Sequence, residues 1–140
     1  MEITANALQT IQPNQNVLFT ETAVSGNYAM MHREGSGLVS IRGLTQQQPR
    51  ARFRISFGGN VAIPTDETVG PISLAIAVNG EPIPTTTMIV TPTVVDAFFN
   101  IFSAIFLDVP SNCCANISVQ NISTSAVNMQ NANLIVERVA

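Results

Sequence analysis

The chain has 140 residues, of which 46% are hydrophobic and 11% are charged, and its formal net charge is −3. This length fits one domain with its own core. The negative balance disfavours non-specific binding to nucleic acid. No run approaches the ~18 consecutive apolar residues of a transmembrane helix, so we expect neither a nucleic-acid nor a membrane partner. Because soluble domains carry about 25% charged residues, the sparse charge indicates that part of the surface is buried against other copies.

The amino-terminal segment lacks the basic start and apolar block of a secretory signal. We therefore expect synthesis and folding in the cytoplasm. A protein of this kind reaches an exterior surface by cell lysis or by assembly onto a particle.

Alternating apolar and polar residues, interrupted by turn residues, predict a chain built from strands. Asn79-Gly80 between two apolar runs is a strong hairpin signal, and Gly58-Gly59 inside a long strand predicts a bulge or bend. The spacing of strands and turns is typical of a sandwich or barrel. The ten predicted strands are Glu2–Leu8, Asn16–Thr20, Asn27–His32, Gly37–Arg42, Ala51–Ile63, Val69–Val78, Ile83–Val90, Phe98–Val109, Ala115–Ile122 and Ala126–Val139.

Three of the six cations alternate along one predicted strand. Arg50, Arg52 and Arg54 therefore stand on one strand face, opposite Ala51 and Phe53. Three interpretations stay open: salt bridges to another subunit or a host surface, a solvated face balanced by nearby carboxylates, or a site for a small anionic ligand.

The strand Phe98–Val109 is apolar on both faces, so it needs a cover on both sides. A sandwich supplies only one inner face for each sheet, so the second cover comes from a loop or from another subunit. The two faces are Phe98, Asn100, Phe102, Ala104 and Phe106, and Phe99, Ile101, Ser103, Ile105 and Leu107.

Few residues are suited to catalysis or metal binding. The cluster at His32 lacks a converging nucleophile, and Asp66-Glu67 lacks the spacing of a calcium loop. Cys113-Cys114 cannot form a tetrahedral zinc site alone; we expect one buried thiol and one at a turn or interface, with a vicinal disulfide or an inter-subunit bond as alternatives. We expect no catalytic residue, no cofactor and no metal.

The Asn and Gln residues near 46–48 and 128–133 suit either weak sugar binding or edge-strand solubility.

The run ISLAIAVNGEPIP, the aromatic strand FNIFSAIFLDVP and the closing NANLIVERVA resemble the tumour necrosis factor-like jelly roll. The similarity is to its compact form, found in complement heads and in collagen-like glycoproteins of bacterial spore surfaces. It covers about two thirds of the chain, from Arg50 to Ala140. The chain lacks the Gly-X-Y stalk that precedes a complement-type head. Residues 1–49 carry no motif of the family and could supply its first strands or a separate attachment or strand-swapping element.

The resemblance implies an all-β jelly-roll sandwich of about ten strands, formed by residues 1–140 as one domain. It also implies a homotrimer with an apolar, often aromatic face at the three-fold axis. The candidate interface is Phe98, Phe102 and Phe106, or the opposite face with Phe99, Ile101 and Ile105.

We expect a non-enzymatic structural protein that decorates a virion, a phage head or a bacterial or spore surface. Its partners would be itself and a capsid or cell-surface protein. The alternative is a lectin-like head that binds receptors or glycans.

Overall fold

A computed structural model describes residues 1–45 and 48–140. These residues form twelve strands and a short 3-10 turn at Pro84–Thr86. The strands are β1 Glu2–Ala5, β2 Gln9–Ile11, β3 Glu21–Val24, β4 Met30–His32, β5 Val39–Arg42, β6 Arg50–Ala62, β7 Ile72–Val78, β8 Glu81–Pro82, β9 Met88–Val90, β10 Phe99–Pro110, β11 Cys114–Asn121 and β12 Val127–Arg138.

The strands form two antiparallel six-stranded sheets that pack as a sandwich. The first sheet has the order β10-β6-β12-β1-β3, with β2 beside β12, and the second has the order β4-β5-β11-β7-β8, with β9 beside β7. The all-β sandwich predicted from the sequence is confirmed. Its strands number twelve rather than about ten because several of them are only two to four residues long.

The core lies between the sheets and is built by alternation along the long strands. In β6 the side chains of Ala51, Phe53, Ile55 and Phe57 are fully buried, while the residues between them lie on the outer face, where Arg52 and Arg54 are exposed and the small Ser56 is buried. The Phe57 ring meets Phe19 edge-on, with ring centroids 6.3 Å apart. Such aromatic pairs add stabilisation beyond the area that they bury.

Residues 1–45 contribute strands to both sheets. Strand β1 lies between β12 and β3 in the first sheet, and β4 and β5 lie in the second. Ile3, Val17 and Phe19 are fully buried in the core that both sheets share.

The predicted strand Ile83–Val90 is wrong as one element. Strand β8 ends at Pro82, and one further backbone hydrogen bond joins the Ile83 N–H to the Ile76 carbonyl at 2.9 Å. Pro84 has no N–H and a fixed φ, so a 3-10 turn follows. The buried Thr86 hydroxyl replaces the ladder there: it accepts a hydrogen bond from the Ile76 N–H at 2.9 Å and donates one to the Ile83 carbonyl at 2.7 Å. The chain resumes as a strand at Met88.

The predicted strand Asn16–Thr20 is also wrong, although its alternating burial is real. Val17 and Phe19 are buried, but their N–H groups donate to different neighbours, Val119 and Ser36. The side chain of Gln9 holds both backbone groups of Leu18, at 2.9 and 3.0 Å. The segment therefore has a buried face without a continuous ladder.

The bulge predicted at Gly58-Gly59 lies on the neighbouring strand instead. Strand β6 pairs with β10 without interruption across both glycines. In β12 the register shifts between Gln130 and Asn133, opposite Gly59. Asn131 has φ 56°, which switches the inward residues from Met129 to Ala132 and the residues beyond it.

Candidate functional site

The feature that distinguishes this surface is a row of exposed aromatic residues on β10. Phe102 and Phe106 are 62% and 61% exposed, and Ala104 between them is also exposed. Ile101 belongs to the core and Ile105 and Leu107 pack against it, so the odd-numbered side of the strand from Ile101 to Leu107 faces the core of the subunit. The uncovered side is the outer face of the first sheet. We call Phe102, Ala104 and Phe106 the aromatic row.

The neighbouring strand leaves this row open. Phe102 is paired with Gly58, which has no side chain, and Ala104 is paired with the small Ser56. Ser56 in turn is paired with Ile135 of β12, which is partly exposed on the same face. An apolar strip therefore crosses three strands without a cover from the described part of this chain. Phe98 precedes β10, and Phe98 and Phe99 are both partly exposed at its start.

The strand that carries the row is also the edge of its sheet. Among residues 1–45 and 48–140, no backbone hydrogen bond from a loop reaches Phe99–Val109. A long, apolar and unpaired edge is a template for contact with another chain, and natural proteins cover such edges.

A group of ion pairs forms one end of the face. Arg52 binds both carboxylate oxygens of Asp108 across the β6–β10 pair, at 2.8 and 3.1 Å. Arg50 lies 3.7 Å from the same carboxylate, and Arg54 lies 3.4 Å from Glu137 of β12. The three arginines therefore share one face, as their spacing predicts, and each has a carboxylate partner within the subunit.

The Arg52–Asp108 contact changes the protonation equilibria of both groups. The hydrogen bond from Arg52 is the largest effect on Asp108 and lowers its pKa below the ordinary value; burial opposes this shift, and the charges of Arg52 and Arg50 add to it. The same hydrogen bond raises the pKa of Arg52. Asp108 is therefore ionised at neutral pH.

Hydrogen-bonded amides form the other end of the face. Asn100 of β10 donates to Asn60 of β6 at 3.2 Å, and Asn60 donates to Asn131 of β12 at 3.0 Å. Asn131 donates to Asn6 beyond β1. The outer face thus runs from a charged end at Asp108, through the aromatic row, to an amide end at Asn100.

The imidazole of His32 has a structural position. Its Nε2 donates to the Ser36 carbonyl at 3.0 Å, so Nδ1 accepts from the Thr22 hydroxyl at 2.9 Å. The ring also meets Phe19 edge-on. Both ring nitrogens are therefore engaged in hydrogen bonds that link β4 to Thr22 of β3 and to the turn at Ser36.

The expectation of one buried cysteine is wrong: Cys113 and Cys114 are both free and exposed. Cys113 lies in the tight turn after β10, and Cys114 opens β11 at the end of the sheet. Within residues 1–45 and 48–140 no three His, Cys, Asp or Glu side chains are grouped to hold a metal ion. In the same part of the chain no helix is long and apolar enough to cross a membrane.

A polar depression lies at one end of the sandwich, and the sequence did not indicate it. It is lined by Tyr28, Leu44, Thr45, Gln48, Asn112 and Arg138, together with Ala140. These residues come from three loops and the end of β12, so only the fold brings them together. Of the glutamines proposed for sugar binding, Gln48 lies here, and Gln46 and Gln47 lie outside the described residues.

Comparison with known proteins gives the fold. The chain is similar to the globular domain of a zebrafish complement 1qA protein, with TM-score 0.64 and 9% identity over 96% of this chain and 93% of that one. It is also similar to murine APRIL, with TM-score 0.56 and 8% identity over 91% of this chain and 95% of that one. The chain has their jelly-roll fold. The resemblance predicted from the sequence is thus confirmed for the fold, while neither a family model nor a curated protein sequence matches the chain.

Proposed function

We propose that this protein is a non-enzymatic homotrimer that serves as a structural display protein on the surface of a particle, such as a virion, a phage head or a bacterial spore. The observation that carries the proposal is the aromatic row, exposed on the edge strand of the first sheet. The number three is what the jelly-roll resemblance implies. A capsid or cell-surface protein is the proposed attachment partner.

The energetics favour association through the whole face. Burying Phe102 and Phe106 contributes at most about 3–6 kcal/mol for each subunit, at about 1.5–3 kcal/mol for a side chain that is fully exposed beforehand, and the two rings are 62% and 61% exposed. Association costs at least about 4 kcal/mol in lost translational and rotational freedom. The two rings alone therefore offset that cost only narrowly, so Ala104, Ile135 and the open edge of β10 must contribute to a stable trimer.

Threefold repetition suits display. One end of a trimer attaches to the particle, and three copies of the loops at the other end act together. Weak individual contacts then gain affinity through multivalency. The sparse charge of the chain is consistent with surfaces that pack on one another.

The substitution Phe102→Asp tests the interface. Three carboxylates near the axis, without partners, would be desolvated on assembly, so we expect a folded monomer at concentrations where the native chain is trimeric. Met31→Asp is the matched control, because Met31 is 56% exposed on β4, in the other sheet. Light scattering gives the mass and circular dichroism reports folding.

A Phe102→Asp protein that stays a folded trimer would refute this interface. Loss of the trimer in the Met31→Asp protein as well would show that the effect is not specific to the aromatic row.

The second candidate function is a glycan-binding head. The polar depression with an exposed tyrosine favours it, because glycan sites combine an aromatic surface with convergent hydrogen-bonding groups.

A further inference from the structure

The depression at the end of the sandwich is a preformed polar site outside the aromatic row. Tyr28 precedes β4 of the second sheet, while Arg138 ends β12 of the first. Asn112 lies in the turn that connects the two sheets, and none of the described lining side chains is acidic. A ligand bound there would contact loops at one end of the sandwich, which the proposed trimer does not bury.

Arg138 is held in place but keeps its charge available. Its Nε donates to the main-chain oxygen of Ala140 at 3.2 Å, and its Nη1 donates to the carbonyl of Leu44. In the described part of the chain no Asp or Glu side chain lies within 4.0 Å of it, in contrast to Arg50, Arg52 and Arg54. A guanidinium has five N–H donors, so the Nη2 group remains for a bound anion.

The other polar groups surround this guanidinium. Tyr28 is 80% exposed and offers a ring face with a hydroxyl at its end. Asn112 has φ 60° and donates its N–H to the Gly43 carbonyl at 3.1 Å, so the turn that carries its amide is fixed. Gly43 is required for this approach, because a Cβ there would lie 2.2 Å from the Pro110 carbonyl oxygen.

We propose that this depression binds a saccharide that carries a carboxylate. Arg138 would receive the carboxylate through a charge-assisted hydrogen bond from Nη2, because Nε and Nη1 already bind main-chain oxygens. The Tyr28 ring would lie against the apolar C–H face of the sugar, and Asn112, Gln48 and Thr45 would bond its hydroxyls. The proposal deepens the glycan-binding candidate and does not depend on trimer formation.

The probes are 3′-sialyllactose and trigalacturonic acid, with lactose as the neutral comparison. Titration of the full-length ¹⁵N-labelled protein, followed by NMR, gives both the location and the affinity of binding. We expect shifts at Tyr28, Asn112 and Gly43 with at least one acidic probe, and affinity at least tenfold weaker for lactose.

Three substitutions at the site and one control make the result specific. Arg138→Gln should weaken acidic-sugar binding about tenfold or more, as loss of a charged hydrogen bond does. Because Arg138 also holds Leu44, Tyr28→Ala provides a substitution at an exposed side chain, and Asn112→Gly keeps the left-handed turn while removing the amide. Arg33→Gln, which removes an exposed arginine from another turn, should leave binding unchanged.

Equal affinity for lactose and the acidic sugars would overturn the assignment of the carboxylate to Arg138. Shifts confined to another surface, or no shift at millimolar concentrations of any probe, would overturn the site. A mass measurement on the same sample reports the trimer independently, so the failure of one proposal is separable from the failure of the other.

Discussion

At the residue scale, Asp108 links the ion pairs of the outer face. It accepts two hydrogen bonds from Arg52 and lies near Arg50. Because Arg52 lowers its pKa in the folded protein, the contact contributes stability above the unfolded pKa of about 3.9. That contribution is lost as the pH falls through the lower folded value.

We therefore expect Asp108→Asn to be modestly less stable than the native chain at neutral pH, with the difference shrinking below about pH 4 and disappearing below the lowered folded pKa of Asp108. Urea unfolding at several pH values measures it. Asp66→Asn is the control, because Asp66 is exposed in a loop and forms no salt bridge with the described residues. A difference that persists unchanged into acid would contradict the ion-pair explanation.

The sequence predicted the arginine face but not the polar depression. Alternation on one strand is a local pattern, so the shared face of Arg50, Arg52 and Arg54 follows from the sequence alone. Tyr28 and Arg138 lie 110 positions apart in the sequence, with Asn112 between them, and the three residues meet only through the sandwich topology. A lone tyrosine in a loop is too weak a signal to predict such a site.

At the element scale, the bulge in β12 depends on a left-handed residue. Asn131 has φ 56°, and its amide joins Asn60 to Asn6 at the amide end of the face. The residue thus sets both the phase of the core-facing side chains in β12 and the hydrogen bonding outside them.

Comparing Asn131→Gly with Asn131→Ala separates these two roles. Both remove the amide, but alanine also carries a Cβ in the left-handed region, which costs about 1–2 kcal/mol. We expect the alanine variant to be less stable than the glycine variant by about 1 kcal/mol in urea unfolding. Equal stability of the two would show that the left-handed backbone at this position does not limit folding.

The same strand shows what could be predicted about the elements. The long strands β6, β10, β11 and β12 follow alternation, and their predicted bounds lie within one residue of those observed. In β12 the buried apolar residues occupy odd positions at Val127 and Met129 but even positions at Leu134 and Val136. This change of phase is present in the sequence and would have indicated the bulge. Short edge strands such as β2 and β3 lack a period long enough to detect. The Pro84 interruption depends on the buried Thr86 hydroxyl.

At the scale of the whole molecule, the sandwich buries one face of each sheet. In the part of the chain that the structure describes, the aromatic row is left uncovered on the other face of the first sheet. The unpaired edge of β10 lies beside it, with a charged end and an amide end on either side. The two ends of the face therefore differ in chemistry. In the proposed trimer this difference fixes the orientation of a second copy, because contact between a charged end and an apolar strip is unfavourable.

The mass of the purified protein in solution, measured by light scattering at low and high salt, tests this account most directly. We predict a mass near three times 15.0 kDa that persists at high salt, because an apolar interface is not screened. A monomer at both salt concentrations would contradict the account, since the aromatic row would then face solvent with no partner copy.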